Sequence, residues 1–193
     1  MKYLVFILSL MFLISCDIFN TRDAEEPDEG RSDYLTASEP AILIQNLMNS
    51  FADKDVVNYK NSFVTGFSNK IFSFLPSSTA LSQYSNIWPT WDLDSEVEYF
   101  NNLKNTALDD LPVTLTLSLS VESFGIILGD SLKYTSEYSI NVPQQNSDAR
   151  NYQGNLEFSM TRDSRSVWVI YFWKDNAAGD NSSWSDLKGE SVN

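Results

Sequence analysis

The stretch that decides the fold lies near the carboxyl end and runs from Phe158 to Asp175, FSMTRDSRSVWVIYFWKD. Its first residues alternate between apolar and polar, which is typical of a strand with one buried face. The polar run Arg162–Arg165 has the composition of a tight turn. The segment Val167–Trp173, VWVIYFW, is then apolar on both faces, as in a strand covered on both sides. The stretch therefore predicts an antiparallel hairpin whose second strand lies inside a sheet.

Period-two patterns continue upstream of this hairpin. Apolar residues occupy every second position of Val113–Val121, with threonine and serine between them. The same period continues in Leu132–Val142, where Ser136 is the polar member of the apolar face, and in Tyr152–Met160. Each segment is predicted to be a half-buried strand with one apolar face. Gly125 and Gly129 mark the turn region between the first two.

Helical patterns precede the strands. The first helix is predicted to begin at Ser38 as its N-cap, with an apolar face at helical spacing formed by Ile44, Leu47, Met48 and Phe51. A second helix has its apolar stripe between Val56 and Phe63, and a short strand is expected at Lys70–Leu75. Asp94 is expected to cap a third, short helix that ends near Asn105, and the serine-rich passage before it is expected to be a loop.

Helices followed by a meander of long antiparallel strands indicate the α+β class. This order, with the pattern FSMTRDSRSVWVIYFWKD, resembles the NTF2-like (cystatin-like, SnoaL-like) fold over about residues 39–175. The resemblance implies a strongly curved antiparallel sheet that wraps around the helices as a cone, with the last strand in mid-sheet. One strand precedes the third helix where some members have a hairpin, which would leave the cone incomplete there. A lipocalin-like barrel is the alternative, but the helices ahead of the strands count against it.

The amino terminus reads MKYLVFILSLMFLISC and has the parts of a secretory signal: one cation, a short apolar run and a small residue before a cysteine. The run is too short to span a membrane, which takes about 20 apolar residues. The stretch Leu13-Ile14-Ser15-Cys16 resembles the lipobox of bacterial lipoproteins. That resemblance implies cleavage between Ser15 and Cys16 and lipid attachment to Cys16. The protein is therefore expected in the bacterial cell envelope, anchored to a membrane and either periplasmic or surface-exposed.

The lipobox interpretation fits the rest of the chain. Cys16 is the only cysteine, so no intramolecular disulfide competes for its thiol. An incidental cysteine in an ordinary signal peptide, or a buried strand, is the alternative. The acidic run DAEEPDEGRSD that follows has little to bury and is expected to be disordered. The predicted organisation is a signal peptide at 1–15, a lipidated cysteine with a flexible tether at 16–38, and one α+β domain at 39–193. The chain thus resembles bacterial lipoproteins in which an acidic tether leads into an NTF2-like domain.

Composition restricts the chemistry. The chain has 13 basic and 26 acidic residues and no histidine, for a net charge of −13. So acidic a surface argues against nucleic acid as a partner. The missing histidine removes the commonest general base and the commonest metal ligand. No G-x-S-x-G nucleophile motif is present, and the acids Asp175, Asp180 and Asp186 do not match EF-hand spacing. No cofactor and no metal are expected.

Two sets of side chains are candidates for a site. Trp88 and Trp91 lie where an NTF2-like cone would open and, with Tyr134 and Tyr138, are candidate contacts to a small hydrophobic ligand or a protein partner, or else part of the core. The interior is expected to be filled or apolar, without a buried carboxylate at its base, because a lone buried acid costs several kcal/mol. The acids around the third helix are accordingly expected at the surface: Asp92, Asp94, Asp109 and Asp110.

Three functions remain open on this basis. The preferred one is a non-catalytic ligand- or partner-binding or assembly domain on a lipid anchor, since the sequence offers no catalytic set. The alternatives are an NTF2-like enzyme acting on a small hydrophobic substrate, which needs a deep cavity with an acid or tyrosine at its base, and a structural envelope component that acts through an exposed sheet face.

Overall fold

The computed structural model describes residues 34–126, 128–144 and 148–192. The predicted signal peptide, Ser15, Cys16 and the tether as far as Asp33 lie outside the described residues. In the described ranges no helix is long and apolar enough to cross a membrane. The helices are α1 Pro40–Ala52, α2 Val56–Asn61, α3 Ser78–Gln83, α4 Leu93–Thr106 and α5 Trp184–Val192; the strands are β1 Ser73–Leu75, β2 Thr114–Leu117, β3 Ser131–Val142, β4 Arg150–Arg162 and β5 Trp168–Ala177.

The five strands form one sheet in the order β1-β5-β4-β3-β2. The pairs β5–β4, β4–β3 and β3–β2 are antiparallel, and β1 runs parallel to β5. The α+β class is confirmed, as is the position of the last strand inside the sheet. Trp168, Val169 and Ile170 are all fully buried, so β5 is covered on both faces where it begins. A single strand precedes α4, as the sequence predicted, but it covers only Ser73–Leu75 of the expected Lys70–Leu75, which leaves that side of the sheet short.

Two helix starts differ from the predictions. The N-cap of α1 is Glu39 instead of Ser38, because Pro40 fixes the first helical turn one residue later. The N-cap of α4 is Asp92 instead of Asp94, because the Asp92 carboxylate accepts the backbone N–H of Ser95 at 2.9 Å. Asp94 lies in the first turn, where its charge still favours the helix. The end of α4 at Thr106 agrees with the prediction, although at 14 residues the helix is not short.

The predicted strand Val113–Val121 is also too long. Strand β2 ends at Leu117, because the N–H of Ser118 bonds to the side chain of Ser136 at 2.9 Å instead of continuing the ladder. Val121 is therefore 83% exposed in a 3₁₀ turn. The chain returns to the edge of β3 at Phe124, which pairs with Tyr134.

Two helices were not predicted at all. The serine-rich passage contains α3, capped by Ser77. The tail, in which Trp184 and Leu187 were expected to pack back on the domain before a frayed end, does pack back, but as the helix α5. In α5 the polar residues Ser185, Asp186 and Lys188 are buried beside Trp184 and Leu187. Because polar residues occupy buried positions of α5, the segment lacks the apolar stripe by which an amphipathic helix is recognised. The hydrogen-bond partners of these polar residues lie far away in the sequence.

The domain begins slightly before the predicted boundary. The last residues of the predicted tether, 34–38, lie against it: Ala37 is buried and its carbonyl accepts the N–H of Trp168 at 2.8 Å. One face of the sheet is packed against the helices, and alternate residues of β3 from Leu132 to Val142 are buried there, as predicted.

Candidate functional site

The interior of the domain contains a lysine that is entirely enclosed by protein. Lys188 on α5 donates from Nζ to Oε2 of Glu96 on α4 at 2.7 Å, and both side chains are fully buried. Glu96 also accepts the hydroxyl of Tyr59 at 2.5 Å and the indole N–H of Trp91 at 2.8 Å. Three helices and the segment before α4 therefore meet at one carboxylate, which has three donors.

Aromatic rings surround the ammonium group. The Nζ of Lys188 lies 3.5 Å from the ring centroid of Trp173 and 3.8 Å from that of Phe74. Trp91 and Tyr99 follow, each at 5.5 Å. Cation–π attraction at these distances compensates part of the lost hydration, since a desolvated cation interacts strongly with aromatic faces.

Burial changes the proton affinities in this cluster. It lowers the pKa of Lys188 to about 8, against the opposing charge of Glu96. Burial also raises the pKa of Tyr59 well above its usual value, and the charge of Glu96 adds to the effect. Tyr59 therefore remains a neutral donor. An amine with a lowered pKa is a known kind of nucleophile, but a fully enclosed one reaches a substrate only if the cluster opens.

A second buried carboxylate holds the start of α5 on the sheet. Asp175 on β5 accepts the hydroxyl of Tyr138 at 2.8 Å, and the N–H and hydroxyl of Ser185 at 2.8 and 2.5 Å. The Tyr138 hydroxyl in turn accepts the N–H of Trp184 at 2.6 Å. Burial raises the pKa of Asp175, and its donors oppose that rise. The carboxylate lies at the amino-terminal end of a helix, where the helix dipole favours it.

These two carboxylates correct the prediction that no acid is buried at the base of the interior. Glu96 and Asp175 are 0% and 1% exposed. A signal for Glu96 was present in the sequence: with Tyr99, Phe100 and Leu103 it completes the i, i+3, i+4, i+7 face of α4, where an apolar residue is expected. Its partner Lys188 lies 92 residues away and could not be paired with it from local patterns. The four acids predicted at the surface are exposed: Asp92, Asp94, Asp109 and Asp110.

The four aromatic candidates lie in the core. Trp88, Trp91, Tyr134 and Tyr138 are at most 8% exposed. Their polar atoms are engaged internally: the Trp88 indole donates to the carbonyl of Ala80 and the Tyr134 hydroxyl to that of Ser118, at 2.9 and 2.7 Å. A ligand or partner would have to displace other side chains to reach them.

The outer face of the sheet offers a more accessible feature. A groove of about 580 Å³ crosses β3, β4 and β5. It is lined mainly by polar side chains, among them Glu122, Thr135, Glu137, Asn155, Lys174 and Asn176. We call these six residues the outer groove. In the described ranges no group of three or more acidic, histidine or cysteine side chains is placed to hold a metal ion.

Comparisons with known proteins identify the fold. No protein-family model matches the sequence, and no curated protein matches it. Solved structures do: an NTF2-like protein of unknown function in nutrient uptake from Rhodospirillum rubrum has a TM-score of 0.52 at 10% identity, over 72% of this chain and 98% of that one. A candidate aromatic ring hydroxylase from Novosphingobium aromaticivorans has a TM-score of 0.55 at 13% identity, over 76% and 91%. The domain therefore has the NTF2-like fold, as the sequence predicted.

Proposed function

We propose that the protein is a lipoprotein of the bacterial cell envelope, held to a membrane through lipidated Cys16, and that its NTF2-like domain is a non-catalytic binding or assembly domain. The anchor is supported by the sequence Leu13-Ile14-Ser15-Cys16 and by the absence of any second cysteine. The acidic charge offers no electrostatic hold on anionic lipid, so the anchor has to be covalent or apolar.

The observation that favours binding over catalysis is the filled interior. Trp184 of α5 packs edge-on against Trp173, with ring centroids 4.4 Å apart, and against Phe51 at 5.2 Å. Its indole N–H donates to the hydroxyl of Tyr99 at 2.9 Å. Side chains of α5 thus occupy the space between the sheet and α4, and the ionisable groups there are engaged with one another. Contacts with other molecules are therefore expected at the surface of the domain.

The outer groove is the surface best suited to such contacts. Its carboxylates, amides and hydroxyls suit a polar or protein partner better than a small hydrophobic ligand. Lys174 on β5 lies opposite the carboxylate-bearing Glu157 on β4, and Glu137 and Glu122 line the same groove. A groove with both charges can fix the orientation of a partner.

Detergent-phase partitioning tests the anchor. The expressed wild-type protein should enter the detergent phase, and Cys16→Ala should remain in the aqueous phase or accumulate uncleaved, because only a thiol forms the thioether. Thr21→Ala, in the predicted tether, is the matched control and should behave as wild type. If Cys16→Ala enters the detergent phase as a cleaved protein, the lipoprotein proposal is wrong.

The lowered pKa of Lys188 is the one observation that favours an enzyme, and amine-specific labelling separates the two functions. In native protein at pH 8, a small aldehyde with borohydride should modify exposed Lys104 and leave Lys188 unmodified, as read by peptide mass spectrometry. Denatured protein, in which both lysines should react, is the control. Modification of native Lys188 at the rate of Lys104 would support a reactive, accessible amine and contradict the binding-domain proposal.

A further inference from the structure

Four segments meet at one end of the sheet. The N–H of Arg162 bonds to the carbonyl of Asp130 at 2.8 Å, which joins the end of β4 to the loop before β3. In the β4–β5 turn, the N–H of Ser164 bonds to the carbonyl of Phe67 at 2.9 Å. The bond from Trp168 to Ala37 brings in the start of the described chain. We call this the entry end, because the chain enters the domain there.

Exposed aliphatic side chains are concentrated at the entry end. In the loop between β2 and β3, Val121, Ile126 and Leu128 are 83%, 84% and 77% exposed. Phe67 and Leu35, in neighbouring segments, are also mostly exposed. Single exposed apolar residues are ordinary, but several on adjacent loops indicate a contact surface. We call Val121, Ile126 and Leu128 the apolar tip.

The charges at this end differ from those of the whole chain. Arg162 lies over the ring of Trp168, and Arg165 pairs with buried Asp163 at 2.6 Å. Asp130 is the exposed acid beside them. With two arginines against Asp130, Asp163 and the exposed Glu122 of the tip loop, the entry end has a net charge of about −1, whereas the chain carries −13. An anionic bilayer repels such a balance less than it would a surface with the charge density of the whole chain.

We propose that the apolar tip is a second membrane contact, inserted shallowly into the bilayer to which lipidated Cys16 is attached. This inference rests on the proposed lipid anchor. From Ala37 across β5, β4 and β3 to the tip is about four strand spacings, or about 20 Å. The stretch 17–33 spans roughly 23 Å as a flexible coil and about 60 Å at full extension. The anchored chain can therefore bring the tip to the lipid surface.

Tethering makes a weak contact sufficient. A domain held by a linker of this length experiences the membrane at an effective concentration on the order of millimolar. Three aliphatic side chains then need only modest individual affinity to keep the domain seated. Seating at the entry end would place the far end of the sheet, where β2 begins opposite Asn141, away from the lipid.

The test uses the lipidated, mature protein in phosphatidylcholine vesicles. Ile126→Cys provides the sole free thiol when the Cys16 sulfur is in thioether linkage, so an environment-sensitive fluorophore marks the tip alone. Leu111→Cys, exposed and at the far end of the sheet, is the matched control. With quencher-bearing lipid in the vesicles, we expect the label at 126 to be blue-shifted and to lose most of its emission, and the label at 111 to lose almost none.

The outcomes separate this inference from the anchor. If both variants float with the vesicles and neither is quenched, the apolar tip is not in the membrane and the inference is wrong. If the protein does not float and Cys16 also takes up label, the anchor itself has failed. If the label at 126 is shielded from aqueous iodide in native envelope membranes but not quenched in pure-lipid vesicles, the occupant is a protein, and the membrane assignment is overturned.

Discussion

The buried pair Lys188 and Glu96 accounts for much of how α4 and α5 are held together. Lys188→Met removes the cation from the Glu96 carboxylate, whose remaining donors are Tyr59 and Trp91. Breaking one side of a buried pair typically costs about 3–5 kcal/mol, and we expect that loss in the free energy of unfolding. Urea denaturation measures it, with Lys104→Met on the exposed side of α4 as the control, for which about 0.5 kcal/mol or less is expected.

A double-mutant cycle separates the pair from its surroundings. When Glu96→Gln is combined with Lys188→Met, no isolated charge remains in the core, so the double variant should lose less than the sum of the two single losses. Strictly additive losses would mean that the two side chains do not interact as the structure indicates.

The lowered pKa of Lys188 determines whether its contribution to the free energy of unfolding rises or falls with pH. Unfolded, Lys188 has its ordinary pKa of 10.5; folded, burial lowers the pKa to about 8. Below about pH 8 both states bind the proton and the group adds no slope. Between about pH 8 and 10.5 the unfolded chain binds more protons, so the contribution of Lys188 to the free energy of unfolding rises with pH.

Denaturation at pH 8 and at pH 10 checks this sign. The difference in free energy of unfolding between wild type and Lys188→Met should widen at the higher pH, because the other titrating groups are common to both proteins. A constant or narrowing difference would contradict the lowered pKa.

At the scale of elements, α5 is docked so closely on α3 that one helical glycine is required. A Cβ on Gly189 would lie 2.3 Å from the ring of Tyr84. In an open helix, alanine is favoured over glycine by about 1 kcal/mol, but overpacking costs about 1–3 kcal/mol. We therefore expect Gly189→Ala to destabilise the protein in thermal denaturation, and to do so much less in a Tyr84→Ala background. A stabilised Gly189→Ala protein would place α5 elsewhere.

Strand β5 is expected to be the centre of stability. Ile170 is fully buried and its backbone bonds to Ser62 and Val64 across the start of the strand. Ile170→Ala should cost about 2–5 kcal/mol, and Thr116→Ala, on the exposed face of β2, about 0.5 kcal/mol or less. Chemical denaturation of both variants measures these losses in the free energy of unfolding, and equal losses would contradict the burial of β5.

The elements that could be predicted are those whose burial follows from local periodicity. Strands β3 and β4 alternate over much of their length, and the start of β5 is a continuous apolar run, so their burial was predicted correctly. Strand β2 was predicted too long, because the hydroxyl of Ser136 takes the N–H of Ser118, and that contact joins residues 18 apart. Helix α5 was missed because its buried polar residues are satisfied by Glu96, Asp175 and Ser77, which no local pattern reveals.

At the scale of the whole molecule, the NTF2-like architecture followed from element order, but the content of its interior did not. The sequence predicted a filled or apolar interior without carboxylates; the structure has a filled interior with two of them, Glu96 and Asp175. Both carry hydrogen bonds that join α5 to the rest of the domain. The interior is thus polar at two points and still closed, and the accessible chemistry lies on the outer groove and at the entry end.

Native-state hydrogen exchange tests this closed interior most directly. If α5 is part of the core, the amides of Ser185 and Leu187 should exchange only through global unfolding, with the same opening free energy and denaturant dependence as Phe158 and Ile170 in β4 and β5. Exchange of the α5 amides at a much lower opening free energy, independent of denaturant, would show that the helix swings out under native conditions. That result would open the interior around Lys188 and contradict a domain that works through its surface.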